Sequence, residues 1–373
     1  MKKNVLFLIL VLFVFGCKDR EIRSITDLFD SQEQLSYKLL DIEDDSDVLL
    51  SPAVLLVEGK QMIIHTTLSP QLFASVDLES NTVTKTWGDI GNGPGEFLVI
   101  LDFYRNHVNA GINAWDPMSQ RLNFYPFEKI FSNDTTLLPV DLFEGLNDTQ
   151  KTYEEEFYIN VLQLSDTKFL GLGNNDDKRF TLIDLTNKTR TATGDFPPQK
   201  VEDGIPHLFR IQAYQGILQH NSKQNKVAYL SSESEMFEIF KVNDSGLDLV
   251  FGNYTTIPKY AIGSMGGDND GGENFGLKVE KFTNGQGKGV SLATSEDKIW
   301  ILYQEYEKGA TDDDMEKFMS NDANKILVFD WDGKPLKMYT LDCVVSSIEY
   351  DAQSNRLYAI KSKPDPEIVY FEL

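Results

Sequence analysis

Apolar residues in this chain fall into short runs that recur in pairs. Six times a polar turn carrying Lys, Arg, Asn or Gly leads into a strand-like run: Met62–Ile64, Ile112–Trp115, Phe169–Leu172, Val227–Leu230, Ile299–Leu302 and Leu357–Ile360. Their first residues lie 50, 57, 58, 72 and 58 positions apart. A second run follows each: Phe73–Leu78, Leu122–Phe127, Phe180–Leu185, Phe237–Val242, Ile326–Trp331 and Ile368–Leu373. If proline is counted as a strand-edge residue, the fifth position of this run is never apolar and the sixth always is. Turn residues come next, among them Glu79-Ser80-Asn81, Thr186-Asn187 and Asp332-Gly333, the last a strong hairpin signal.

Two such runs per unit, rich in β-branched and aromatic residues, imply about four short strands in each. A unit of that size cannot bury both its faces alone, so six units must stack around an axis. The expected fold is all-β: a six-bladed β-propeller of four-stranded antiparallel blades spanning residues 35–373. The end of the chain suggests how the ring closes. Earlier units carry a third stretch, such as Thr82–Trp87 or Leu336–Leu341, whereas the sixth stops at Leu373. The strand-like Tyr37–Ile42 belongs to no other unit and is expected to pair in the last blade, removing two open sheet edges.

The N-terminus carries a different pattern. Lys2 and Lys3 precede eleven apolar residues, Val5–Phe15, and then Gly16-Cys17. Eleven helical residues reach about 16 Å, half of a ~30 Å hydrocarbon core, so this is a signal segment and not a span. The ending Val14-Phe15-Gly16-Cys17 resembles a lipobox, which implies that residues 1–16 are removed and Cys17 carries lipid. Residues 17–34 are expected to form a lipid-anchored tether with one helical turn near Ile25 to Phe29. Lys18-Asp19-Arg20-Glu21 resembles short charged signals that send lipoproteins to the outer surface. The expected location is the outer membrane, on its periplasmic or its external face.

Charge and cysteine use narrow the partners. The formal charge is −23, and −25 once the two N-terminal lysines are removed, a field that repels nucleic acid and anionic headgroups. With Cys17 acylated, Cys343 has no disulfide partner and reads as a small core residue.

One motif is distinctive: Gly91-Asn92-Gly93-Pro94-Gly95-Glu96-Phe97, after the first unit's third stretch. Together with the repeat and the lipobox it resembles the TolB-like six-bladed propeller lipoproteins of Bacteroidetes, over nearly the whole mature chain. The resemblance implies the fold and an envelope location, and no established activity. Physically, Gly91, Gly93, Pro94 and Gly95 set a tight bend. That bend either shows backbone N–H groups to an anion or makes a compact crossing between blades one and two, with Glu96 and Phe97 tucked beneath.

No catalytic set is readable. The histidines His65, His107, His207 and His220 are scattered without paired spacing, Asp268–Glu273 matches only the start of a calcium loop, and Gly263–Gly266 lacks the leading glycine of a nucleophile elbow. No metal or cofactor is expected. The long Gly252–Gly289 segment carries Tyr254, Lys259 and Tyr260, and the Phe196–Arg210 loop carries His207 and Arg210; these five are the candidate binding residues. The reading that follows is a non-enzymatic binding or scaffold protein for an envelope protein, peptide or glycan. The alternative is a carbohydrate-active hydrolase or lyase, which a cluster of carboxylates or a His/Tyr/Arg group at the channel mouth would favour.

Overall fold

The repeated runs lie in strands, and the polar fifth position of the second run has a structural cause. Asp77 Oδ1 accepts from the backbone N–H groups of Glu79 (2.8 Å) and Ser80 (3.0 Å), and Asp330 Oδ1 from those of Asp332 and Lys334 (2.9 Å each). Asp184 does the same for Asn187 at 3.0 Å. An aspartate there closes the hairpin to the next strand, while Asn81, Lys188 and Gly333 take the left-handed backbone the turn demands.

A computed structural model describes residues 24–43, 48–67, 69–93, 95–132, 140–141, 157–173, 177–197, 207–258, 260–264, 275–279, 287–306 and 320–373. Inside each pair of repeated runs lies a further strand: Pro52–Glu58, Asp102–Asn106, Asn160–Gln163, Gly216–Asn221, Gly287–Thr294 and the second half of Pro335–Asp351. These inner strands neighbour one another in chain order, and the last neighbours the first, so six sheets stand radially around a channel. Connections between blades, and the turns joining second to third strands, lie at one end of the ring, the loop end. Tight turns between first and second and between third and fourth strands form the opposite, hairpin end.

The blades are not uniform. The first gains a two-residue fifth strand, Glu96–Phe97, parallel to Thr82–Ile90. In the second, the described part of the fourth strand is Val140–Asp141. Pro335–Asp351 serves two blades, pairing with Ala323–Asp330 through its first half and with Arg356–Lys361 through its second. The last blade receives Lys38–Leu39, opposite Tyr370 and Val369, and the Leu40 N–H donates to the Ile368 carbonyl at 2.9 Å.

The N-terminal stretch departs from the expected tether. From Ser24 onward it is docked, so the 17–34 segment does not hang free over its whole length. A 3₁₀ turn, Ile25–Leu28, buries Ile25 and is followed by buried Phe29 between blades four and five, where the Phe29 ring meets Phe329 edge-on at 5.1 Å. Gln32–Leu35 then lies parallel on Met338–Leu341 as an extra edge of blade five. The reason is hydrophobic: burying Ile25 and Phe29 contributes about 1.5–3 kcal/mol each, more than a short polar linker can supply by staying solvated. Leu40 and Ile42 continue the strap into the cluster shared by blades six and one, and Glu43 bridges to Thr82.

Residues 1–16, Cys17, Pro94, Lys259, Asp268–Glu273 and the side chains of His207 and Tyr260 lie outside what is described. Among the described residues no helix is long and apolar enough to cross a membrane. Cys343 is half-buried against the core of blades five and six, and burial pushes its thiol up to about 11.

Candidate functional site

The channel is crossed toward its hairpin end by an arginine. Arg105, on the inner strand of blade two, donates to the Glu58 carboxylate and the Val57 carbonyl of blade one, and to Glu349 of blade six at 3.2 Å. This bridge separates two cavities. The one toward the hairpin end, about 410 Å³, is lined by Glu58, Arg105, His107, His220, Lys223 and Tyr350 among others. The one toward the loop end, about 360 Å³, is lined by His65, Asp102, Gln219, Ser291, Ser347 and Glu349 among others. Inner strands here carry polar residues because their axial faces meet these spaces instead of another sheet.

Burial sets the charge states. It lowers His65, His107 and His220 to about 4, with the Arg105 charge adding to the effect at His107, so the imidazoles are neutral at pH 7. Neither ring nitrogen of His220 has a hydrogen-bond partner among the described groups, nor has His107 Nε2. Burial raises Asp102 to about 7 against a 2.7 Å hydrogen bond from Asn160, and raises Glu349 to about 7 against the pull of Arg105. Sequence spacing could not show this grouping, because His107 and His220 stand in different blades and meet only when the ring closes. A usable signal was their offset, since each lies five to seven residues before a repeated run, where the inner strand ends.

Four of the five candidate binding residues, His207, Arg210, Tyr254 and Tyr260, fall in the connections at the loop end, over blades three and four. His207 opens a helix, His207–Ala213, that lies beside Phe275–Val279; that strand pairs with Tyr260–Ser264 in a hairpin. Arg210 stacks on Phe196 at 3.6 Å, and Phe196 meets Tyr214 edge-on at 5.1 Å. Tyr254 is partly exposed and donates to Glu238 at 2.7 Å; Glu238 in turn pairs with buried Arg179 at 2.6 Å. Arg210 and Tyr254 thus stand on supported side chains beside the hairpin, and Lys259 belongs to the undescribed positions.

In the glycine motif the N–H groups of Gly91 and Gly93 are already used. Gly93 N–H donates to Glu96 Oε2 at 2.7 Å, Gly91 N–H to the Phe97 carbonyl at 3.0 Å, and Arg121 reaches the carbonyls of Gly93 and Asn92 at 3.1 and 3.2 Å. A Cβ on Gly91 would come within 2.1 Å of the Glu96 carboxylate. Gly95 takes a φ of +81°. Phe97 is fully buried against Phe73 and Tyr125. The motif is a fastening between blades one and two, in which Glu96 occupies the place an outside anion would need.

Ring, channel and insertions define a six-bladed propeller carrying an elaborated loop end. The profile of the TolB-like 6-blade propeller-like family matches residues 41–353, and the chain belongs to that family. Its fold is similar to that of a candidate exported protein from Bacteroides fragilis, at 13% identity and a TM-score of 0.51, over 92% of this chain and 96% of that one. It is similar also to a member of the DUF4221 family from Bacteroides vulgatus, at 11% identity and 0.51, over 91% and 98%. No functionally curated protein matches the chain.

Proposed function

We propose that the protein is an exported lipoprotein, acylated at Cys17 and held on the outer membrane. Its propeller is a non-enzymatic scaffold that binds a protein, peptide or glycan of the envelope. The observation that carries the binding reading is the convergence at one end of the ring: the His207–Ala213 helix, the Tyr260–Ser264 and Phe275–Val279 hairpin, and the supported side chains of Arg210 and Tyr254. A rigid ring that spends its longest connections on one end presents a surface there. Export is supported by the signal-like N-terminus and by the likeness to the Bacteroides fragilis protein.

The test is site-directed photocrosslinking of the lipidated protein in its own envelope, from Tyr254 and, as control, from Gln353 at the hairpin end. A discrete adduct from position 254 that is absent from 353 and weakened at least about fivefold by Arg210→Ala is the expected result. Equal labelling from both positions, or none from 254, overturns it.

A second reading draws on Asp102 and Glu349, two carboxyl groups raised by burial that face one cavity. Such a pair is the raw material of glycoside hydrolysis. Release of reducing sugar from envelope glycans, abolished by both Asp102→Asn and Glu349→Gln, would replace the scaffold reading with the hydrolase.

A further inference from the structure

We infer that the loop end of the ring faces the bilayer and rests on it, with an apolar rim on blades one and two in contact with lipid. The inference rests on acylation at Cys17 and adds to that reading an orientation and a lipid-contacting surface.

The first observation is where the anchor chain leaves the fold. Ser24 Oγ donates to Glu235 Oε1 at 2.7 Å, Tyr303 donates to the same carboxylate, and Thr255 donates to its other oxygen at 3.0 Å. Ser24 and Glu235 are both buried. Glu235 sits in the turn between Lys226–Ser231 and Phe237–Asn243, which lies at the loop end. Ile25 and Phe29, packed behind it, hold the pin in place. Ser24 lies seven positions after Cys17, and a fully extended chain of seven Cα steps spans about 25 Å. Lipid on Cys17 therefore keeps the loop end within about 25 Å of the bilayer, while the hairpin end stands about 20 Å farther off, one strand length away.

The second observation is independent of the anchor. Several of the most exposed large apolar side chains gather at that same end, across the ring from Ser24. Leu50 is 69% exposed just before the inner strand of blade one, Ile90 is 61% exposed at the end of its fourth strand, and Leu98, Val99 and Leu101 lie exposed in the crossing to blade two. The glycine fastening beneath holds that crossing rigid, with the Leu98 N–H tied to Asp116 at 2.8 Å and the Leu101 N–H to the Trp115 carbonyl at 3.2 Å. Apolar groups kept in water on a rigid support mark a contact surface. A ring held within tether reach on one side and apolar on the other would lean on its membrane through blades one and two, which leaves the insertions over blades three and four open to a partner. The strongly acidic chain selects the lipid: zwitterionic headgroups fit such a surface and anionic ones are repelled.

The test uses the full lipidated protein in vesicles of phosphatidylethanolamine and phosphatidylcholine doped with a headgroup-region quencher lipid. In a Cys343→Ser background a fluorophore is placed on a cysteine at position 101 or at position 353, and acylation of Cys17 is measured by mass in the same sample. The expected result is quenching at least about threefold stronger at 101 than at 353. Leu98→Glu combined with Ile90→Glu should reduce quenching at 101 at least twofold without changing the melting temperature. Unacylated Cys17 removes the lipoprotein reading and the orientation with it. Acylated protein with equal quenching, or stronger quenching at 353, overturns the orientation alone. Quenching at 101 that ignores the Leu98 and Ile90 substitutions overturns the lipid rim.

Discussion

Among the described residues two arginine–glutamate pairs join blades of this ring, and they live in different surroundings. Arg179 and Glu238 join blades three and four with side chains only 1% and 2% exposed, and four rings surround the guanidinium: Phe180, Tyr229, Tyr214 and Phe240 at 5.1 to 6.0 Å. Arg105 and Glu349 join blades two and six across the channel, 24% and 11% exposed, with a cavity on either side and the more open Glu58 as a third partner. The first pair has no water to fall back on. The second does, so its charges can be screened, relaxed or neutralised when a partner is lost. The same chemistry is therefore a fixed fastening in one place and an adjustable plug in the other.

The sharpest way to break this contrast is at Arg179. Arg179→Met leaves Glu238 buried with Tyr254 as its remaining partner, and removes the hydrogen bond from Nε to the Asp195 carbonyl at 2.9 Å. An uncompensated buried charge costs about 3–5 kcal/mol, and chemical denaturation should show a loss of that size. The double variant Arg179→Met with Glu238→Leu should recover most of it. A loss below about 1 kcal/mol would mean that solvent reaches this site, and the contrast with the channel would disappear.

The pH profile is the next instrument. Burial depresses His220 to about 4, so between about 4 and 6.5 the unfolded chain takes up a proton that the folded ring refuses. Stability from this group is present above 6.5 and is lost as pH falls toward 4, by about 2–3 kcal/mol. His65 and His107 act in the same direction. Asp102 and Glu349, both raised, oppose them: they favour the folded state below about 4 and lose that advantage as pH rises to about 7. His220→Gln should therefore flatten the acid limb of the stability curve between pH 6.5 and 4. An unchanged limb would show that water already solvates the imidazole in the channel.

What the chain reveals on reading follows the same division between sealed and wet surroundings. The repeated runs are legible because they face other sheets on both sides and must be apolar, and because an aspartate such as Asp77 or Asp330 has to close the next turn. Inner strands such as Asp102–Asn106 and Asn160–Gln163 are harder to see, since Asp102 and Arg105 line the channel cavities while Asn106, Asn160 and Gln163 serve hydrogen bonds between blades two and three. The channel group is illegible locally, as its members come from separate blades. Ser24 to Phe29 reads as a tether with one helical turn because three apolar residues, Ile25, Leu28 and Phe29, in a polar stretch do not announce a socket. Only folded blades four and five provide one, through Glu235 and Phe329.

The smallest expected effect tests the adjustable side of the comparison. Arg105→Met removes the positive partner of Glu349 and leaves a carboxyl whose surroundings already hold it near neutrality at pH 7. Losing Arg105 raises that group further, and it escapes the penalty by keeping its proton. Because the folded pKa stands above the unfolded one, the penalty grows as pH rises through 7 and fades below it. The cost should be about 1–2 kcal/mol at pH 8.5 and less than about half of that at pH 5.5, read by denaturant titration at both values. If the Arg105 variant instead loses as much at pH 5.5 as at 8.5, Glu349 is not the group that answers for the loss, and Glu58 or the Val57 carbonyl takes its place as the contact that matters.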